Sequence, residues 1–196
     1  DPWVSFGPDG TAWAMSLSTT GPDNAMLVSR SADGGRSWGN AVALIAETTP
    51  YFNDKNAITA DPLDARFAYA VWDRLADQGG GPAYFARTVN AGASWEAARS
   101  IFDPGANAQT IGNLVVVLAN GALVNIATRI DGIQSGPRSA SVVALRSADR
   151  GATWSAPVTV SSHLAIGARD PETGTAIRDG AIIASAAAGP GGSLHV

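Results

Sequence analysis

Three octets constrain this chain more than any other feature: SADGGRSW (residues 31–38), TVNAGASW (88–95) and SADRGATW (147–154). They recur about every 58 residues and share the pattern Ser/Thr, any, Asp/Asn, any, Gly, any, Ser/Thr, Trp. An arginine precedes each one (Arg30, Arg87 and Arg146). Recurrence at a fixed period marks an architecture built from one supersecondary unit stacked on its neighbours. Each octet reads as a polar turn. Asp33, Asn90 and Asp149 are suited to accept backbone amides two residues on. Gly35, Gly92 and Gly151 stand where a positive φ is required, and the second octet has Ala91 just before its glycine. The hydroxyls of Ser37, Ser94 and Thr153 are placed to bond back across the loop, which starts at Ser31, Thr88 or Ser147. Trp38, Trp95 and Trp154 are expected to open the next strand and pack inward, each burying on the order of 200 Å².

Other landmarks keep the same phase. A tight turn lies upstream of each octet, in FGPDGTAWA (6–14), ADPLDARFAYA (60–70) and LANGALVNI (118–126). Gly-Pro-Asp-Gly and Ala-Asn-Gly favour hairpins. A fourth such turn, AGPGGSLHV, occupies residues 188–196. Alternating runs such as NAMLVSRS, PAYFART and SVVALRS favour strands, and a short strand is expected after each tryptophan. No segment has a convincing helical period. The expected fold is all-β, a propeller of four-stranded antiparallel blades. Blade 1 is expected at about 1–48, blade 2 at about 54–104, blade 3 at about 109–162, and the start of a fourth at about 177–196. About three and a third blades do not close a ring, so a longer parent or another chain completing the propeller is expected.

The octets resemble Asp-boxes, the repeats found on the blades of bacterial neuraminidases and related sialidases. The resemblance covers the whole chain and implies that octet residues serve the fold, on the turn between the third and fourth strands at a blade's outer edge. It implies a sialidase-like glycoside hydrolase acting on glycans at an axial pocket. The alternative is a non-catalytic propeller used for glycan or protein binding, or as a scaffold. The resemblance also implies an extracellular or cell-surface setting. Asn90 replaces the aspartate in the second octet, which implies a weaker lock with the same role.

Composition narrows the chemistry. The chain of 196 residues has a formal charge of −4 and no basic block, so no nucleic-acid partner is expected. No apolar run approaches the roughly 18 residues of a membrane span, and carbohydrate is the expected partner. With no cysteine and only His163 and His195, thiolate and multi-histidine metal sites are excluded. No cofactor is expected. The acidic loops GPDN and DPETG carry oxygen donors for Ca²⁺ without EF-hand spacing, and turn chemistry explains them better.

In a propeller the segments entering each first strand border the axis. Here they hold Asp1, Asp54 with Lys55, and Arg178 with Asp179. Asp54, Arg178 and Asp179 are the candidate catalytic residues. Lys55, Arg74 and Arg129 are the candidate ligand-binding residues. The resemblance also implies an arginine triad and a tyrosine–glutamate pair. Tyr51, Glu47, Arg74 and Arg129 supply those types, although the Arg-Ile-Pro motif of sialidases is absent and RID (129–131) lacks its proline. Trp3 and Trp72 lie outside the octets and are the aromatics expected to mark a binding surface.

Overall fold

The computed structural model describes residues 1–163, 168–177, 180 and 182–196. Its body is three four-stranded antiparallel sheets, each a meander in chain order. The first holds β1 (Trp3–Phe6), β2 (Ala12–Thr20), β3 (Asp23–Ser31) and β4 (Val42–Glu47). The second holds β5 (Tyr51–Ala60), β6 (Ala68–Ala76), β7 (Ala83–Thr88) and β8 (Arg99–Phe102). The third holds β9 (Ala108–Val117), β10 (Leu123–Asp131), β11 (Ser139–Ser147) and β12 (Val158–His163). Two short pairs follow, β13 (Ala168–Arg169) with β14 (Ala176–Ile177), and β15 (Ala187–Ala188) with β16 (Leu194–His195). The last pair is the hairpin expected from AGPGGSLHV. This is a β-propeller arrangement.

Burial explains the stacking. Strands β6 and β10 begin with six consecutive buried residues, AYAVWD and LVNIAT, because both faces of each sheet meet a neighbour. One apolar cluster joins Trp13, Met15 and Met26 of the first sheet to Ile58, Ala70 and Trp72 of the second. Another joins Tyr69, Val71 and Phe85 of the second to Val115, Val117 and Leu123 of the third. The third sheet's outer face receives Ala184, Ala186 and Leu194. Strands β1, β5 and β9 lie side by side as the innermost row, and β5 touches both others. Thr59 Oγ1 donates to the Val115 carbonyl (2.8 Å), and the Ala60 amide donates to Ser5 Oγ (2.9 Å).

Each octet forms the turn between the third and fourth strands of its sheet. Ser31 Oγ accepts the Gly35 amide (2.8 Å), and Asp33 accepts both the amide and the hydroxyl of Ser37 (2.9 and 2.6 Å). Ser147, Asp149 and Thr153 repeat this scheme; in the second octet Thr88 Oγ1 and Asn90 Oδ1 accept the Gly92 and Ser94 amides in the same way, but Asn90 Nδ2 donates to Ser94 Oγ (2.9 Å). The aspartate therefore reaches four residues ahead rather than two. The fourth position is left-handed as well as the fifth: Gly34, Ala91 and Arg150 have φ of 72, 57 and 56°. Gly35, Gly92 and Gly151 follow at 92, 83 and 85°.

The tryptophans correct the sequence expectation. None opens a strand, since β4, β8 and β12 begin several residues later. Trp95 and Trp154 pack sideways onto the preceding sheet, Trp95 edge-on to Trp13 (5.7 Å between centroids) and Trp154 edge-on to Phe85 (5.4 Å). Trp38 belongs to the first of the described sheets and is 43% exposed. The glycines make the approach possible: a Cβ on Gly92 would lie 2.5 Å from the Trp13 ring, and one on Gly151 would lie 2.5 Å from the Phe85 ring. Arginines complete the contact. Arg87 donates to the Arg150 carbonyl (2.6 Å), and Arg99 donates to the Gly151 carbonyl while its guanidinium covers Phe85. The octet is thus a clasp between neighbouring sheets.

Two predictions follow from the clasp geometry. Gly35→Val should incur backbone strain alone, on the order of 1–2 kcal/mol. Gly92→Val and Gly151→Val should add an overpacking cost of about 1–3 kcal/mol; urea unfolding of the three variants checks the ranking. The second concerns acid. Hydrogen bonds from the Ser37 hydroxyl and amide, then Ser31, lower Asp33 to about 2. Thr153 and Ser147 likewise hold Asp149 below the usual carboxylate range. Folded values below the unfolded value of about 3.9 mean that this stabilisation is present above that pH and is lost as pH falls through the folded values. Urea midpoints should therefore fall between about pH 4 and pH 2, and Asp33→Asn with Asp149→Asn should reduce that fall.

Candidate functional site

The meander places the octets and the first-to-second-strand turns at one end of each sheet. The second-to-third-strand hairpins and the inter-sheet connections lie at the other. Asp54 and Lys55 lie midway along β5, and there both β5 and β9 depart from regular pairing. In β5, Lys55 and Asn56 together oppose Trp72 alone; in β9, Gly112 and Asn113 together oppose Ala127 alone. Such bulges re-aim side chains. The first residue of each is left-handed, Lys55 at φ 46° and Gly112 at 67°. For lysine that conformation costs on the order of 1 kcal/mol. Between the bulges opens an axial cleft of about 400 Å³, with Asp1, Trp3, Lys55, Asn56 and Asn113 in its wall. Lys55 Nζ is paired with Asp1 Oδ2 at 2.7 Å, and the Trp3 indole is 41% exposed.

Behind the cleft lies a sealed polar layer. Asp73 of β6 is 1% exposed and braces the bulge of the next sheet. It accepts from the Asn113 amide group, the Gly112 backbone N–H (3.2 Å) and Thr110 Oγ1 (3.3 Å). Burial pushes its carboxyl well above the ordinary value, these donors oppose the shift, and the nearby Asp54 charge adds to it. Asn113 Oδ1 in turn accepts from Asn125 Nδ2 (2.8 Å). Between the first two sheets, Trp72 Nε1 donates to Asn53 Oδ1 (2.7 Å), and Asn53 Nδ2 donates to Asn24 Oδ1 (2.7 Å) and Glu47 (3.0 Å). Glu47 also holds Arg74 Nε (2.9 Å), whose guanidinium lies 3.6 Å over the Tyr51 ring.

The sequence candidates separate accordingly. Lys55 lies in the cleft wall, and Asp54, beside it, accepts the Lys55 amide through its own carboxylate (2.8 Å). Arg178 and Asp179 lie outside the described residues. Arg74 belongs to the inter-sheet cluster with Glu47 and Tyr51. Arg129 is bound by Asp131 on its own strand (2.7 Å). Trp72, expected as a binding aromatic, is fully buried and bonded to Asn53, which removes it from any ligand surface. Asp73, Asn56 and Asn113 went unremarked in the sequence. A lone acid in the apolar run AYAVWD was the available signal for Asp73. Among the described residues no group of three or more His, Asp or Glu is placed to hold a metal. In the DPETG loop, Asp170 is occupied by the amides of Glu172 and Thr173.

Removing the brace should be costly. Asp73→Ala takes the acceptor from the Gly112 amide and leaves Asn113 only Thr110 Oγ1 (3.2 Å), while Thr110 keeps the Gly81 carbonyl (3.0 Å), and a loss of about 1–3 kcal/mol in urea unfolding is expected.

No protein-family model matches the chain, and no curated protein matches it. Solved structures do. An α-L-arabinanase from Penicillium chrysogenum aligns at TM-score 0.69 and 14% identity, over 98% of this chain and 56% of that one. An α-L-arabinofuranosidase of glycoside hydrolase family 93 from Fusarium graminearum aligns at 0.54 and 13%, over 79% and 45%. The polysaccharide lyase Uly1 aligns at 0.54 and 10%, over 81% and 40%. The chain thus spans about half the length of the structures it matches, and at these identities the likeness is one of fold: a glycosidase-like β-propeller.

Proposed function

We propose that this chain forms part of a glycan-acting propeller, hydrolase in type, whose saccharide site is the axial cleft. The observation that carries this reading is the cleft wall. It combines an exposed indole face, a neutral amide and an ion pair in one concavity between innermost strands, as a polyhydroxylated ring needs. The arabinan-acting fold neighbours support it. Asp54, next to the cleft residue Lys55 in the chain, is the candidate acid/base; Asp1 is the carboxylate in the cleft wall, and Asp73 is sealed from it. A sialoside would need cations for its carboxylate, and the octets' resemblance to Asp-boxes keeps that substrate in view. Arg74 and Arg129 are each committed to an acid, Glu47 and Asp131, which favours a neutral saccharide. The commitment of Asp1 to Lys55 favours a second reading, a non-catalytic glycan-binding propeller.

Hydrolysis of a chromogenic α-L-arabinofuranoside and a fluorogenic sialoside by the full-length protein separates these readings. Turnover lowered about 10²-fold or more in kcat by Asp54→Asn is expected for the enzyme. Saccharide binding without turnover would establish the binding module instead.

A further inference from the structure

The two bulges of the innermost strands have one geometry and opposite outcomes. Asn113 is satisfied on both sides, its Nδ2 by Asp73 of the preceding sheet and its Oδ1 by Asn125 of its own. The residues paired with the octet starts, Ala12, Ala68 and Leu123, give a common register for the second strands. In that register the counterpart of Asp73 in the first sheet is Leu17, and the counterpart of Asn125 in the second is Ala70. Both replacements are apolar. Asn56, the counterpart of Asn113, accordingly has no hydrogen-bond partner for either Nδ2 or Oδ1, although it is 3% exposed. A buried amide left bare on both atoms destabilises a fold, so it calls for a reason. Its place in the cleft wall beside Lys55 and across from Trp3 supplies one.

We propose that Asn56 is the specificity-determining residue of the cleft, reading a pair of adjacent hydroxyls on a saccharide ring. Neither amide atom is open to solvent in this structure, so the wall shifts as the saccharide enters; Nδ2 then donates to one hydroxyl and Oδ1 accepts from the next, while Trp3 offers a flat apolar face to the ring. Asn113 keeps the bulge in shape and Asn56 is spared for the ligand. This assignment rests on the glycan-acting reading above.

The test compares Asn56→Leu, Asn56→Ala and Asn113→Leu by thermal unfolding, and by calorimetric titration with arabinobiose and with a sialyllactose. Asn56→Leu should leave Tm unchanged or raise it, whereas Asn113→Leu should lower it by several degrees. Affinity for the saccharide that binds the wild type should fall at least tenfold in both Asn56 variants. A Tm loss in Asn56→Leu equal to that in Asn113→Leu would make Asn56 a structural residue and overturn the proposal. Wild-type binding that survives within twofold in the Asn56 variants would overturn it while leaving the glycan reading intact. A wild type that binds neither saccharide would overturn both.

Discussion

The seating of a glycine against an aromatic ring of the preceding sheet is the contact on which this structure depends. Gly92 meets Trp13 and Gly151 meets Phe85 at a distance that leaves no room for a side chain. A repeat whose sheets are buried on both faces has no independent core, and its stability comes from the interface with its neighbour. The octet serves that interface twice. Its hydroxyl–carboxylate network fixes two successive left-handed residues, and those residues carry the turn and its tryptophan sideways onto the preceding sheet. At Trp38 the same network forms, and the indole, bonded to the Gly35 carbonyl of its own turn (3.1 Å), is 43% exposed.

The octets hold the sheets at one end, and the innermost strands hold them along the axis. There the polar groups differ from sheet to sheet. Asn24, Glu47, Asn53 and Arg74 knit the first pair of sheets, whereas Asp73, Thr110 and Asn113 knit the second. Both devices bury charge or amide against the neighbour, and both depend on several donors converging on one carboxylate. Such convergence offsets desolvation only when every member is present.

The repeat, the number of strands in each unit and the position of the turn were legible because they rest on local chemistry. Gly, Asp and Ser/Thr at fixed offsets specify a turn without reference to anything distant. The direction of the tryptophans was not legible, since an indole buried under its own sheet and one buried against the preceding sheet leave the same pattern in the chain. The site was less legible still. Lys55 and Asp54 stood out as charges near a strand start, but Arg74 and Arg129 gave no sign that Glu47 and Asp131 would occupy them. Trp72 resembled an exposed aromatic only because Asn53, its hydrogen-bond partner, is 19 residues away in the chain. The bulges were invisible for a related reason: an extra residue in one strand is defined only by the partner strand that fails to match it.

The repeat nonetheless contains its own internal control, and that is its value for function. Residues held at equal register in successive sheets experience nearly the same backbone, so a difference between them isolates what the side chains are for. Asn113 between Asp73 and Asn125 has a partner for each of its own polar amide atoms. Asn56 with Leu17 and Ala70 is the same position with partners withheld on both sides, in a cleft where three innermost strands converge. Lys55 beside it holds a left-handed conformation that the third sheet gives to glycine, so the second sheet carries two departures from local stability at adjacent residues. Strain and an unmet amide together mark the second sheet, rather than the octets that identify the repeat, as the part of this chain adapted to something outside it.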